Sequence, residues 1–312
     1  QHQIDIPYSA LLADEVVRYV GEPYALVVAE TLNQALDAVE AIVADIEPLA
    51  AITSIDEALA PGAPAIHASA PDNVTATFSL AHRGAIAASE DAHRIRRRFV
   101  NHRYCGSPME CRGVIAEYDG RQDTLMIWSA CQVVHWVRRE VAKQLRIPEG
   151  RIRCQALDVG GGFGVKGHVY PEDILIPWLA RRLDRPVAWI ETRQEHLIHS
   201  THSRDDRQNA EIRFDDHGRI LSLDVKLEKD TGAYTPVGIG SLSNSATHMC
   251  GIYVVPSLAF EAKLVVTNKA PNAPYRGAGR PEACFTIERL MDLVARELKL
   301  DPIEVRRRNL VT

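Results

Sequence analysis

The sequence predicts an α+β protein, a small α/β portion leading into a larger mixed one. Three observations carry this expectation. A Pro- and Ala-rich seam at 60–73 divides the chain, strand-like runs and a hairpin signal follow it, and the C-terminal stretch has the apolar period of helices. Strands and helices do not alternate strictly along the chain, as a doubly wound sheet would require.

Taken in order, residues 24–29 read as a strand. Thr31 with Gln34 forms a capping box, and Leu32, Leu36, Val39 and Val43 make a helical stripe before a second strand around Ile46. The boundaries expected are a small α/β unit at 1–59, an extended linker at 60–73 and the larger domain at 74–312. Beyond the seam, strands at 210–214 and 220–227 flank Asp215-Asp216-His217-Gly218, an acidic-glycine hairpin turn. Pro281 sits as a first-turn proline, and Ala283, Ile287, Leu290, Met291, Val294 and Leu298 share one helical face. Asp301, Pro302 and Glu304 then supply the cap, N1 proline and capping-box carboxylate of a last short helix.

The densest chemical signal is Val159-Gly160-Gly161-Gly162-Phe163-Gly164-Val165-Lys166-Gly167. Consecutive glycines bring backbone N–H groups close to a bulky partner, so the loop reads as a cofactor cradle. Gly162 to Gly167 fits G-x-G-x-x-G, with a strand expected at 152–159, a helix at 171–182 and a strand at 186–190 ending in Glu191. That acid stands where a ribose-binding carboxylate would, which keeps an NAD-dependent dehydrogenase open. Against it, His168, Val169 and Tyr170 intervene before the helix, whose N-terminus should open inside the glycine motif.

Composition narrows the classes. The 312 residues are 46% hydrophobic with a net charge of −5, which offers no electrostatic footprint for nucleic acid or an anionic membrane. No apolar run approaches the roughly 20 residues of a transmembrane helix, so a cytoplasmic location is the expectation. The six cysteines form no C-x-x-C pair, a spacing that speaks for reduced structural thiols over a zinc or iron–sulfur site.

Several separated segments then agree: Val17-Arg18-Tyr19-Val20-Gly21-Glu22-Pro23, Ile46-Glu47-Pro48-Leu49, Pro108-Met109-Glu110, the Gly160–Gly164 loop, and Pro274-Tyr275-Arg276-Gly277-Ala278-Gly279-Arg280-Pro281-Glu282-Ala283. Together they resemble the molybdenum-binding large subunit of the xanthine oxidase and aldehyde oxidase family, in the branch related to aerobic carbon monoxide dehydrogenase. The resemblance covers nearly the whole chain in the family's order. It implies a hammerhead-like first domain, then the first half of a molybdopterin-binding domain, with the glycines packed on molybdopterin and no Rossmann fold.

The same resemblance assigns roles. Gln132 matches a glutamine that hydrogen-bonds an oxygen ligand of molybdenum, where its bland alternative is a helix cap. Gly161, Gly162, Phe163 and Gly164 match backbone and ring contacts to the cofactor, or else form a packed turn. Arg276 and Gly277 lie in a motif whose backbone approaches the metal, and the Arg276 guanidinium has a phosphate, a carboxylate or a surface ion pair as its options. Glu110 and His135 invite a general-base role, but structural partners are the expectation for both. No residue is expected to ligate the metal directly, and none in this chain is expected to be the catalytic base.

Departures from the family's pattern bear on the substrate. Carbon monoxide-oxidising members place a copper-binding cysteine where this chain has Gly277, and glycine offers no thiolate for Cu(I). Purine-oxidising members carry a glutamate at Gly167 and a phenylalanine at Ala278. An aldehyde or a different aromatic heterocycle is therefore expected. The family's catalytic glutamate belongs to a later domain, so the chain is expected to supply half of a cleft and be inactive alone, as a fragment or split subunit. The resemblance implies a molybdopterin dinucleotide shared with a complementary half, and partner subunits carrying [2Fe-2S] clusters and FAD. The alternative is a noncatalytic fragment or assembly subunit without cofactor.

Overall fold

A computed structural model describes residues 3–4, 7, 9–84, 92–237 and 239–312. In chain order the elements are β1 (Gln3–Ile4), α1 (Leu32–Glu40), α2 (Ile55–Ala58), β2 (Val74–Arg83), β3 (His93–Asn101), β4 (Tyr104–Cys105), β5 (Gly113–Asp119) and β6 (Thr124–Ser129). There follow α3 (Val134–Leu145), β7 (Ile152–Gln155), α4 (Glu172–Leu183), β8 (Val187–Ile190), α5 (Arg193–His199), β9 (His202–Ser203), β10 (Asp206–Phe214) and β11 (Ile220–Gly232). The chain closes with α6 (Gly240–His248), β12 (Ser257–Val266), α7 (Arg280–Leu298) and α8 (Pro302–Asn309). The architecture is α+β.

Two sheets organise the molecule. The larger has the order β1-β2-β12-β11-β10-β3, in which only β11 and β12 run parallel. Alternate residues of its long strands, Ile212, Leu223, Val225, Leu227, Phe260 and Leu264 among them, point into one core shared with Ala283, Ile287, Leu290, Met291 and Val294 of α7. Leu298 completes the expected α7 face from the rim of this core. The β10–β11 hairpin turns where the sequence says, with Asp215 Oδ1 accepting from the His217 and Arg219 N–H groups. Asp301 caps α8 by accepting from the Ile303 and Glu304 N–H groups, whereas the Glu304 carboxylate turns forward to Arg308 and does not close a capping box.

The smaller sheet, β7-β6-β5-β8, packs against α3 and α4. Its pairing overturns the dinucleotide-binding reading. β7 and β8 run in the same direction, but β6 and β5 lie between them and β8 sits on the far edge against β5, so β7, α4 and β8 do not make the adjacent-strand βαβ unit of a dinucleotide fold. The strand before the glycines also ends at Gln155, earlier than expected, and the chain reaches the loop as irregular backbone.

The N-terminal portion departs most. α1 forms with both halves of its capping box, but residues 24–29 and the run around Ile46 are not strands. Extended backbone becomes a strand only when another supplies hydrogen bonds, and no described residue pairs with either run. The stripe of Leu32, Leu36, Val39 and Val43 faces solvent. Residues 60–73 are mostly exposed but are pinned at buried His67, Ala70 and Asn73. The buried Asn73 amide bonds Ala58 O, Pro64 O and the Ile66 N–H, and His67 Nε2 lies 2.6 Å from Ala233 O.

Leu290→Ala is expected to lower the unfolding free energy by about 2–5 kcal/mol, because it opens a cavity in a close-packed core. Leu36→Ala on the exposed α1 stripe is expected to change it by no more than about 0.5 kcal/mol. Denaturant titration of the two variants checks the contrast.

Candidate functional site

Three irregular segments meet beside the smaller sheet: Gln132 between β6 and α3, the glycine loop between β7 and α4, and the turn at 274–279 that opens α7. Hydrogen bonds from backbone N–H groups interlock them. The Gln132 N–H donates to Lys166 O at 2.9 Å, the Gly164 N–H donates to Gln132 Oε1 at 2.9 Å, and the Arg276 N–H donates to Phe163 O at 2.8 Å. The structure therefore gathers Gln132, Gly161, Gly162, Phe163, Gly164, Arg276 and Gly277 into one unit. The Arg276 guanidinium is exposed and has no ion-pair partner among the described residues; this residue joins the unit through its backbone.

Two of the unit's glycines leave room for its other segments. At Gly164, φ is +100° and a Cβ would lie 2.3 Å from Pro274 O, so a side chain would force the loop off the 274–279 turn. At Gly162 a Cβ would lie 2.5 Å from Gln132 Oε1 and expel the glutamine from its seat. Phe163 itself adopts φ +53° and leaves its ring half exposed, 6.4 Å from that of Tyr275.

The unit is rich in uncommitted donors. Among the described residues no acceptor faces the N–H groups of Gly162, Phe163 and Gly277 or the Gln132 Nε2, whose own Oε1 is taken by Gly164. Such a donor-rich rim suits a partner bearing oxo or phosphate oxygens, which accept hydrogen bonds. A molybdopterin group fits these residues.

Glu110 and His135 are not placed as bases. Glu110 Oε2 accepts from the Gly160 N–H at 2.8 Å and from Lys166 Nζ at 2.7 Å. Burial raises its pKa, but those two bonds outweigh it and hold the carboxyl below its ordinary range. It braces the loop. His135 is exposed on α3.

Glu191, the expected ribose ligand of the dehydrogenase alternative, is buried in an ion cluster. Arg112 Nη2 donates to its Oε1 at 2.7 Å and the Arg112 N–H to its Oε2 at 3.0 Å, while His196 Nδ1 lies 2.8 Å from Oε2. No ribose reaches it, and that reading is withdrawn. Cys111, Glu191 and His196 bring potential ligand atoms within 4.8 Å of one another, but Arg112 already occupies the carboxylate, which leaves a cation no open oxygen.

The cluster also stores a proton. His196 Nδ1 faces Glu191 and Nε2 lies 2.7 Å from Gly106 O, so both nitrogens donate and the ring is an imidazolium. Burial opposes that charge, but bonds to Cys105, Glu191 and Gly106 O raise its pKa to about 10. Burial likewise raises the Cys105 thiol, yet bonds from His196 and His202 bring it down to about 6.

Sequence reading missed a cavity of about 620 Å³, lined in part by Tyr19, Trp136, His168, Tyr170, Tyr234 and Val237. Its lining shares no residue with the interlocked unit; Trp136 stands four residues after Gln132 in the chain, and His168 two after Lys166. His168 Nδ1 and Thr235 Oγ1 are buried there without a hydrogen-bond partner among the described residues. Burial, then Arg112 and His199, lower the His168 pKa to about 3, so the ring is neutral. The short His-Val-Tyr gap between loop and helix was the only local trace of this site.

Comparison with known proteins shows the family. The model of the molybdopterin cofactor-binding domain family matches residues 66–310, and the chain belongs to that family. Among curated proteins it is similar to the 6-hydroxypseudooxynicotine dehydrogenase complex subunit gamma of Paenarthrobacter nicotinovorans, with 37% identity over 99% of this chain and 38% of that one. The nicotine 6-hydroxylase large subunit of the same organism is 34% identical over 96% of this chain and 37% of its own length. Among solved structures, quinoline 2-oxidoreductase from Pseudomonas putida 86 superposes with a TM-score of 0.92 at 38% identity, over 99% of this chain and 40% of that one. The chain thus spans about two fifths of the length of these relatives. Among the described residues no helix is long and apolar enough to cross a membrane.

Gly164→Ala is expected to cost at least about 1 kcal/mol of stability, since alanine is strained at this φ, and to detach the loop from the 274–279 turn; hydrogen exchange at the Arg276 amide reads the detachment. A pH test addresses the Cys105–His196 pair. Between about pH 6.5 and 8.5 the unfolded chain carries a neutral imidazole and a thiol, the folded chain an imidazolium and a thiolate. Each pair holds one proton, so the pair adds no pH slope there. Above about pH 8.5 the unfolded chain loses the thiol proton while folded His196 keeps its own up to about 10, so stability falls with pH. Cys105→Ala removes the compensation, and a decline of up to about 1.4 kcal/mol per pH unit is expected to start near pH 6.5. Denaturation midpoints across pH 6–10 check it, and Cys105 alkylation in the parent is expected to have its midpoint near pH 6.

Proposed function

We propose that this chain forms one wall of the molybdopterin site of a molybdenum hydroxylase acting on a nitrogen-containing aromatic heterocycle, with aldehydes as the second substrate class. The observation that carries the reading is the donor-rich rim on an interlocked unit: the Gly162, Phe163 and Gly277 N–H groups and the Gln132 Nε2, none with an acceptor among the described residues. Gln132, Gly161, Gly162, Phe163, Gly164, Arg276 and Gly277 would hold the group, chiefly through backbone. Bound there, the cofactor would supply two-electron oxidation and oxygen transfer to carbon.

The chain's own residues would handle the substrate. The cavity has aromatic walls in Trp136, Tyr170 and Tyr234 that suit a flat ring. The neutral His168 offers a hydrogen bond to a ring N–H or ring nitrogen without adding charge. Heterocycles precede aldehydes because the relatives at 34–38% identity are named for nicotine, a nicotine derivative and quinoline. Gly277, at φ +92°, disfavours the side chain that a copper-binding cysteine would need there, which speaks against carbon monoxide as substrate.

Residues outside these 312, on a continuation of the chain or a separate polypeptide, would complete the cleft and provide the acid–base group. A dinucleotide form of the cofactor and partner subunits with [2Fe-2S] and FAD belong to the same proposal. Residues 1–59 would be part of a hammerhead-like domain, 60–73 its connection and 74–312 the first molybdopterin-binding unit.

The test is molybdenum and pterin analysis of the chain produced with its complementary sequence. Near-stoichiometric content, lost in Gln132→Ala, is the expected result; no molybdenum in any preparation would leave a noncatalytic assembly role. His168→Leu is expected to raise KM for quinoline-like substrates about tenfold, the worth of one buried hydrogen bond, with molybdenum content unchanged.

A further inference from the structure

We propose that Arg204 is the positioning residue that orients the Arg276–Gly277 peptide, so that the Gly277 N–H is presented at the open face of the cofactor rim. The inference rests on the reading of that rim as a molybdopterin site and adds a residue that does not touch the rim's open face. The Arg204 side chain is buried, and its guanidinium is used on three sides. Nη1 donates to Glu282 Oε2 at 2.6 Å, Nη2 to Arg276 O at 3.0 Å and Nε to Tyr104 Oη at 3.1 Å. The charge also lies 5.8 Å from the ring centroids of both Tyr104 and Tyr275, which pack edge to face.

The geometry of a trans peptide does the rest. The C=O and the following N–H point in opposite directions, so drawing Arg276 O inward to Arg204 turns the Gly277 N–H outward. Gly277 is exposed, and its N–H has no acceptor among the described residues. On the other side of the same residue the Arg276 N–H is held by Phe163 O. Two bonds therefore set the two peptide planes that flank Arg276, one from the glycine loop and one from Arg204.

Arg204 is itself held in an uncommon backbone state. It and Asp205 take φ +63° and +61°, two successive left-handed residues that are not glycine. Asn272 Nδ2 bonds Arg204 O at 2.6 Å, and Asp205 is gripped by Arg103 and Lys269. Strain of this kind persists only where the surroundings over-determine it, and here they aim one guanidinium at the 274–279 turn. A lysine would keep the ion pair with Glu282, but a single ammonium lacks the planar fork that spans all three acceptors.

Arg204→Lys is the discriminating variant, compared with the parent in whatever complex the chain is purified. Hydrogen exchange, which needs no cofactor, is expected to quicken at least tenfold at the Arg276 and Ala278 amides and stay unchanged along β10. In loaded protein, kcat is expected to fall at least tenfold with KM held, and the visible circular dichroism of the cofactor to shift. Arg204→Gln combined with Glu282→Gln, which leaves no buried charge unpaired, is expected to show the same exchange pattern. Unchanged exchange at Arg276 and Ala278 in both variants would overturn the proposal and reduce Arg204 to an ion pair. A parent without molybdenum would overturn the functional reading instead, and the exchange result would still decide what Arg204 does to the turn.

Discussion

The buried guanidinium of Arg112 is the interaction on which the surrounding structure rests. It bonds Glu191 at the end of β8, Glu172 at the start of α4 and Ser200 after α5, and it lies 3.6 Å from the centroid of the Tyr170 ring. Burial disfavours its charge, but the two carboxylates more than compensate and hold its pKa above the ordinary value. The carboxylates in turn are kept ionised, with the pKa of each lowered against its own burial cost. Removing any one member would strand a charge away from water, a loss on the order of 3–5 kcal/mol. The cluster ties β5, β8, α4 and α5 to one point directly behind the glycine loop.

From that point the loop gains its stiffness in stages. Tyr170 passes a hydrogen bond back to Val165 O, Lys166 is buried full length to reach Glu110, and Glu110 returns to the Gly160 N–H. Phe163 can then be held at a left-handed φ, a state that costs a residue with a side chain about 1–3 kcal/mol. Within the glycine loop Phe163 is the one non-glycine residue in that state, and it lies in the segment whose N–H groups stay uncommitted. A rim of fixed, unpaired donors is what a preorganised site requires, since no reorganisation remains to be done when an oxygen-rich partner arrives. The large sheet contributes differently: it anchors α7, whose first turn carries Glu282 and so connects the 274–279 turn to Arg204.

Much of this was legible locally. The β10–β11 hairpin and helices α7 and α8 follow from periodicity, a turn and caps that involve neighbours in sequence. The Gly160–Gly164 loop and the Tyr275–Ala278 motif could be linked as site segments by the family pattern they share, and in the structure side chains at Gly162 and Gly164 would meet Gln132 and Pro274. Residues 24–29 misled because their apolar composition suits a strand, while the hydrogen-bonding partner a strand needs is not among the described residues. Glu191 misled for a related reason. An acid that ends a strand after a glycine loop looks alike whether it meets a ribose or a buried arginine, and Arg112 lies 79 residues away.

What the sequence by itself determined was the set of pieces: the capped helices, the hairpin, the glycine loop with its left-handed positions, and a family pattern spread over nearly the whole chain. These depend on interactions within a few residues, or on motifs that can be matched without coordinates. The tertiary structure alone decided the placement of β8 on the edge far from β7, the burial of Glu191 and His196 with Arg112, the cavity at His168 and the hold of Arg204 on Arg276 O. Each of those is a contact between residues distant in sequence, and its energy comes from desolvating one charge or dipole against another, which happens only when the fold has brought the two together.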